Sequence, residues 1–312
     1  MTESEIIGCI KTYISQKGYF YADALIENFY LSLKSRSFVF VTGNSDTDMA
    51  RLPLLFAEAI GATEGNGRFL RLKVRPDWMD SSDLFGWLNL EGRFVPGVII
   101  DFLKAAQSEP DKPYFLCLDR LNLSRAEYYL REILSAVESR AQIEGEKPFV
   151  TMAYYGRDWE AAAKYGIIPA LKNLYIVGTI NMDEASRPLN QRFLDRVHTI
   201  HMEPGDLTGA DTGRPSPVDA DNSFLETVYF RLDQCPADEL KPYFAVFQEL
   251  DRILSGATAY IGYQVRNDAI LYLMHNQLTG VLSERDALDQ EIAMKVITRV
   301  QGSAKMIKPV LC

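Results

Sequence analysis

Short apolar runs alternate with amphipathic segments over much of this chain. Five runs rich in β-branched and aromatic residues predict strands at Phe38–Val41, Phe69–Val74, Tyr114–Leu118, Leu174–Thr179 and Val197–His201. Apolar positions spaced three and four residues apart predict helices at Glu3–Gln16, Ala22–Lys34, Arg51–Ile60, Gly97–Gln107 and Ser124–Glu138. Because strands and helices alternate, we expect an α/β fold built on a parallel sheet.

The pattern changes after the last of these strands. Residues 204–222 are rich in Pro, Gly, Asp and Thr, which predicts a linker. Further helices are predicted at Phe224–Leu232, Leu240–Ser255, Val265–Gln277 and Asp286–Arg299. The sequence therefore predicts N-terminal helices at 1–34, an α/β core at 35–203, the linker, and a helical domain at 223–312. Two insertions interrupt the core: residues 77–96, with a hairpin around Asn89–Gly92, and Gln142–Lys172, with loops and a short helix.

Composition narrows the function classes. The chain has 312 residues, of which 47% are hydrophobic and 24% charged, as in a soluble globular protein. No apolar run approaches the roughly 18–20 residues of a membrane span, and the N-terminus is not a secretory signal, so we expect a cytoplasmic protein without a membrane partner. The net charge of −9 argues against a basic nucleic-acid binder. The four cysteines show no metal-ligand spacing, and we expect them to be reduced.

The segment from Gly43 to Ala50 joins a predicted strand to a predicted helix. This arrangement is the frame of a phosphate-binding loop, G-x-x-x-x-G-K-[ST], but only Gly43 matches it. Asp48 stands at the second glycine, Met49 at the lysine, and Ala50 at the hydroxyl that would ligate magnesium. Taken alone, the segment also fits an ordinary strand–turn–helix connection.

Two other strands end in polar residues. Asp119 follows the run YFLCL, and an acid at the end of an apolar strand is the pattern that holds magnesium through water in nucleoside triphosphatases. The next residue is Arg120. Asn181 ends the run LYIVGTI, and Leu194-Asp195-Arg196 follows shortly before the last strand.

Together these segments resemble the McrB-type branch of the AAA+ proteins, the motor and GTPase subunits of modification-dependent restriction systems. The resemblance runs from about Tyr21 to Leu311 and rests on segments such as RPDWMDSSDLFGWLNLEGRFVPG, PYFLCLDRLNLSRAEYYL and NLYIVGTINMDEASRPLNQRFLDR. It implies a P-loop-type parallel sheet in the order 5-1-4-3-2, a helical lid after the linker, and assembly into a ring. The lid is expected to be truncated if the chain stops inside it, at Cys312.

The resemblance also implies roles for single residues. The catalytic positions are Asp119, Asn181 and Arg196, with Arg120 in place of the expected glutamate, and Asp119 is also the magnesium position. The nucleotide-binding positions are Gly43, Asn44, Ser45, Thr47 and Arg266. The degenerate loop positions are Asp46, Asp48, Met49 and Ala50.

These replacements disfavour a bound triphosphate. A carboxylate ~4 Å from a phosphate costs about 4 kcal/mol per unit-charge pair at an effective dielectric constant near 20. Asp46 and Asp48 could instead fill the anion position themselves and pair with Arg120 or Arg266. We therefore expect no cofactor, or Mg-GTP or Mg-ATP if the family's activity is retained.

The resemblance leaves two expectations for function. The first is a McrB-like AAA+ domain of a restriction or defence system that serves as a hydrolysis-deficient subunit or scaffold. The alternative is an active GTPase or ATPase motor that drives a partner nuclease on DNA. In either case the expected partners are AAA+ ring neighbours and a nuclease subunit. The AAA+ region begins close to Met1, so we expect no sequence-specific reading of DNA by this chain.

Overall fold

A computed structural model describes residues 1–44, 47–140, 147–182, 189–206, 208–209, 213–228, 235, 237–255 and 260–299. The first half contains α1 (Glu3–Gln16), α2 (Asp23–Ser35), β1 (Phe38–Gly43), α3 (Arg51–Ala59), β2 (Phe69–Lys73), α4 (Ser82–Phe85), β3 (Gly86–Leu88), β4 (Phe94–Pro96), α5 (Ile100–Ser108) and β5 (Tyr114–Asp119). The second half contains α6 (Ala126–Tyr129), α7 (Arg131–Ser139), α8 (Trp159–Tyr165), β6 (Leu174–Asn181), α9 (Gln191–Leu194), β7 (His198–His201), α10 (Ala237–Ser255), α11 (Tyr263–Thr279) and α12 (Glu284–Glu291).

A five-stranded sheet forms the centre of the molecule. Its strand order is β2-β5-β6-β1-β7, and every neighbouring pair in it is parallel. If only these five strands are numbered from 1 to 5 in chain order, β1, β2, β5, β6 and β7 become strands 1 to 5. Their order across the sheet, starting from β7, is then 5-1-4-3-2. All five occur where the apolar runs predict strands. The carboxyl ends of β1, β5 and β6 therefore lie side by side, with Gly43 paired to Asn181 in register.

Both faces of the sheet are covered by helices, as the apolar runs of the strands require. Val39 and Val41 of β1 point to the face that packs against α1, α2 and α3, and Phe38 and Phe40 point to the face that packs against α5 and α7. This alternation gives two hydrophobic cores, one on each side of the sheet. Cys117 of β5 is completely buried on the first face.

The predicted hairpin is present as the antiparallel pair of β3 and β4. Asn89 donates its backbone N–H to Arg93 O over 2.9 Å, and Gly92 has a φ of 72°, a left-handed angle that favours glycine. Trp87 and Leu90 on this hairpin are largely exposed.

The C-terminal helices pack against the helix that precedes β1. Tyr272 of α11 donates a hydrogen bond over 2.8 Å to Asn28 of α2, and Asn28 donates over 2.8 Å to Gln290 of α12. Buried charges lie at the same junction. Arg36 pairs with Asp268, and the ammonium of Lys295 lies 3.7 Å from the other carboxylate oxygen of Asp268.

Three predicted helices differ from the observed ones. The segment Ser124–Glu138 forms α6 and α7, which meet at Leu130. The segment Asp286–Arg299 is α-helical only to Glu291 and continues as a π-helix over Ile292–Val296 and a 3₁₀ turn over Ile297–Arg299. The helix predicted from Phe224 is wrong for residues 225–228, and residues 229–232 lie outside the described part of the chain.

Within the described ranges, no helix is long and apolar enough to cross a membrane.

Candidate functional site

A cavity of about 360 Å³ lies at the carboxyl ends of β1, β2, β5 and β6. The sheet order brings these ends together, and the register places Lys73 opposite Asp119. The residues that line the cavity come from the loop before α3, from β2 and its end, from β5 and its end, and from β6: Asp48, Met49, Ala50, Arg71, Lys73, Val74, Asp119, Arg120, Leu123, Thr179 and Asn181. Six of the sequence-predicted positions thus meet around one space: Asp48, Met49, Ala50, Asp119, Arg120 and Asn181.

The loop before α3 begins at Gly43, where a side chain has no room. A Cβ atom at this position would lie 2.7 Å from Thr47 Oγ1 and 3.0 Å from Met202 O. Asn44 is exposed, and its carbonyl accepts both the backbone N–H and the hydroxyl of Thr47, at 3.1 and 2.8 Å. The Thr47 hydroxyl is therefore engaged within the loop. Ser45 and Asp46 lie outside the described residues.

Met49 and Ala50 stand where the phosphate-binding loop has a lysine and a hydroxyl. Both are buried, with 5% and 2% of their surface exposed, and both belong to the core between the sheet and α3. A thioether and a methyl group supply neither a cation nor an oxygen ligand. The two residues just before α3 therefore contribute apolar packing to this wall of the cavity.

Asp48 is exposed and adopts a φ of 41°, a conformation that aspartate tolerates better than most residues. Its carboxylate accepts a hydrogen bond from Arg51 Nε at 3.1 Å. For Asp48, the ion pair expected with Arg120 or Arg266 is thus formed with Arg51, one turn along the chain, whereas the same expectation for Asp46 lies outside the described residues. Only one other non-glycine residue in the described part of the chain has a positive φ: Arg120, at 57°.

Asp119 is held by side chains from both neighbouring strands. Arg71 of β2 donates from Nη2 and Nε to Asp119 Oδ2, at 2.7 and 3.2 Å. Thr179 of β6 donates its hydroxyl to Asp119 Oδ1 over 3.0 Å and accepts the backbone N–H of Arg120 at 2.9 Å. Burial alone would lower the pKa of the Arg71 guanidinium. The hydrogen bond and the negative charge of Asp119 outweigh burial, so the pKa of Arg71 is raised. Both oxygens of this acid therefore have protein partners.

Asn181, at the end of β6, is 4% exposed and lines the wall opposite β2. Its carbonyl accepts from the amide of Asn122 at 3.3 Å. The chain then continues with Met182, which donates its backbone N–H to Gly43 O over 2.9 Å. These bonds fix the end of β6 against the loop that begins at Gly43.

Arg196 and Arg266 are not among the described residues that line the cavity. Arg196 Nε lies 3.1 Å from Glu138 Oε1, and Glu138 also accepts from Gln264 of α11 over 3.3 Å. The guanidinium of Arg266 stacks on the rings of Phe244 and Tyr263, at 4.7 and 5.0 Å. The roles predicted for these two arginines therefore stay predictions.

The residues around the cavity do not fit a magnesium ion. Magnesium prefers an octahedron of oxygens, commonly one or two carboxylates with water and phosphate. Here the Asp119 oxygens are bound to Arg71 and Thr179, and Ala50 has no side-chain oxygen. Across the described ranges, no group of three or more His, Cys, Asp or Glu residues is arranged to hold a metal ion.

Arg71 and Lys73 were missed by the sequence analysis. They are two positions apart in β2, so their side chains point to the same side of the sheet. The signal was present in the run FLRLK, where two cations alternate with apolar residues at the end of a strand. The order of the sheet was needed to place them beside Asp119.

Comparison with a solved structure supports the α/β fold with its parallel sheet. The chain is similar to a "putative ATPase" from Cytophaga hutchinsonii ATCC 33406, with a TM-score of 0.63 and 13% identity over 99% of this chain and 95% of that one. It is also similar to a full-length MCM homolog from Methanopyrus kandleri, with a TM-score of 0.49 and 13% identity over 96% of this chain and 61% of that one. Residues 217–312 match a domain of unknown function (DUF8727). No curated protein matches the chain.

Proposed function

We propose that this chain is an AAA+ domain of the McrB-like type that does not hydrolyse nucleotide and serves as a subunit or scaffold in a restriction or defence system. The likeness to the Cytophaga hutchinsonii protein supports the general fold. The order of the sequence motifs supports the McrB-like branch. The strand order, with a helical lid after the linker, agrees with this proposal.

One observation carries the proposal that hydrolysis is absent: the acid at the magnesium position is neutralised by Arg71. In a working phosphoryl-transfer site, an acid at this position supports the ion that bridges the phosphates. Here the positive charge beside Asp119 comes from the Arg71 side chain. With Met49 and Ala50 in the loop, the lysine that would attract the triphosphate and the hydroxyl that would ligate its magnesium ion are both absent.

The partners that we propose are AAA+ ring neighbours and a nuclease subunit. Arg196 is 40% exposed in its side chain and lies just before β7, so it is the residue that we propose to face a neighbouring subunit. Sequence-specific reading of DNA would then belong to another chain of the assembly.

Calorimetric titration with Mg-GTP and Mg-ATP tests the proposal. We expect no binding heat from the unchanged chain. A restored variant carries Asp46→Gly, Asp48→Gly, Met49→Lys, Ala50→Thr and Arg120→Glu. We expect nucleotide binding and hydrolysis to be strongest when Arg71→Ser is added to this variant, because the Asp119 carboxylate is then free of its cation.

The matched control adds Arg75→Ser to the restored variant instead. Arg75 follows β2 but pairs with Asp77 and does not line the cavity. If the unchanged chain binds either magnesium nucleotide with micromolar affinity, the proposal is wrong. If Arg71→Ser and Arg75→Ser have the same effect, the Asp119–Arg71 pair is not what prevents magnesium binding.

A further inference from the structure

We infer that the cavity is a magnesium-independent site for a small anion that carries a pyrophosphate group. This inference deepens the proposed function, because it assigns a ligand to a site that does not support magnesium-dependent hydrolysis. The site uses cations of β2 and the end of β5 in place of the loop lysine and the metal ion. It follows from the charges that line the cavity, from its volume, and from the partners of its two acids.

Among the described residues that line the cavity, cations outnumber acids. Its lining includes the cations Arg71, Lys73 and Arg120 and the acids Asp48 and Asp119. Asp119 is paired with Arg71 inside the cavity. Asp48 is paired with Arg51, which lies outside its lining. Each of these two acids is thus paired with an arginine, in a chain whose net charge is −9.

Lys73 is the residue on which the inference rests most directly. It ends β2, it is exposed, and its ammonium makes no hydrogen bond or ion pair with any residue in the described part of the chain. Exposed lysines are common, but this one lies at the carboxyl edge of a parallel sheet, on the wall of a cavity that also contains two arginines. Ligands of open α/β sheets bind at this edge.

The volume and the available donors suit a small phosphate-containing anion. A cavity of about 360 Å³ lies near the lower end of the range of roughly 300–1,000 Å³ for small-molecule sites. Arginine matches phosphate oxygens with a planar fork, and lysine attracts them as a point charge. A free magnesium ion would compete with Lys73 for the phosphate oxygens, and the described residues offer it no group of three or more acidic, His or Cys ligands. Magnesium should therefore weaken binding, the opposite of its effect in a nucleoside triphosphatase.

The test is calorimetric titration with sodium pyrophosphate in EDTA at low ionic strength. We expect binding by the unchanged chain and by Lys73→Arg, and about a tenfold loss of affinity in Lys73→Met, because one cation is removed from beside the anion. Excess magnesium or added salt should lower the affinity. Lys172→Met is the control: Lys172 is also an exposed lysine, but it lies outside the cavity.

Parallel titrations with ADP and GDP in EDTA distinguish an inorganic anion from the phosphate tail of a nucleotide. Equal affinities assign the site to the pyrophosphate group alone, and tighter nucleotide binding assigns it to a metal-free nucleotide. The inference is overturned if none of the three anions binds, or if Lys73→Met binds like the unchanged chain. Binding that requires magnesium would instead overturn the proposed function, so the two failures are distinct.

Discussion

At the scale of single residues, Asp119 shows how the surroundings of an acid decide what it can do. The sequence places this acid correctly at the end of an apolar strand. It does not show that Arg71, 48 positions earlier, lies beside it, because that contact depends on β2 and β5 being neighbours. The acid could therefore be predicted from the sequence, whereas its neutralisation by an arginine could not.

The Asp119–Arg71 pair should contribute to stability as well as exclude a metal ion. The side chains of Asp119 and Arg71 are 12% and 32% exposed, so Arg71→Met leaves a mostly buried carboxylate without its cation. We expect a loss of about 1–3 kcal/mol in the free energy of unfolding, measured by urea denaturation.

The double variant Arg71→Met with Asp119→Asn provides the control. Because it removes both charges, we expect it to be more stable than the sum of the two single changes predicts. Additive losses would show that the two side chains do not interact energetically.

At the scale of helices and strands, the sequence predicted best where one physical cause dominates. Three strands of the central sheet, β1, β5 and β6, are nearly continuous apolar runs, because both of their faces are buried. The loop from Gly43 shows the opposite case. The position of the loop between a strand and a helix could be predicted from the sequence. The burial of Met49 could not, because it depends on packing against α3 and the sheet. The π-helix after Glu291 likewise interrupts a pattern that alone predicts a continuous helix.

Helix α11 contains a buried titratable group, His275. Burial, assisted by the nearby charge of Lys34, lowers the pKa of His275 from its ordinary value of 6.5 to about 4, although Glu3 and a backbone hydrogen bond with Val228 oppose the shift. The neutral form is therefore favoured in the folded chain. As the pH falls, the unfolded chain takes up this proton first, so stability is present above pH 6.5 and is lost between pH 6.5 and 4.

We expect His275→Gln to flatten this part of the stability profile. The difference in unfolding free energy between pH 7 and 4.5 should shrink by roughly 2–3 kcal/mol, as measured by urea denaturation at each pH. His201→Gln, which changes an exposed histidine on β7, is the matched control. If the unfolding free energy of His275→Gln changes with pH as steeply as that of the unchanged chain, His275 is not the cause of the loss of stability between pH 6.5 and 4.

At the scale of the whole molecule, the core and the C-terminal helices are joined by buried charges as well as by apolar contacts. Arg36 precedes β1, Asp268 lies on α11, and Lys295 lies in the π-helix. His198 of β7 and Glu291 of α12 are both fully buried, with 3.5 Å between Nε2 and Oε1. Burial lowers the pKa of Lys295, and the negative charge of Asp268 opposes that change. The junction therefore depends on opposite charges remaining together.

We expect Asp268→Ala to destabilise the chain by about 3–5 kcal/mol, because it leaves Arg36 and Lys295 buried without this acid. Scanning calorimetry should show one transition for the unchanged chain and a lower Tm for the variant. Asp238→Ala removes an exposed acid from the same helical region and should change little. Equal effects of the two substitutions would show that the junction does not depend on Asp268.

The buried thiol of Cys117 lies on β5, two positions before Asp119 and in register with Arg71. Burial, with a smaller contribution from Asp119, raises its pKa to about 12. Reagents that attack a thiolate therefore reach Cys117 only when the strands separate, whereas Cys9 and Cys235 are partly exposed. The rate of its alkylation is a measure of how often the sheet opens, and an anion held by Lys73 and Arg71 should slow that reaction.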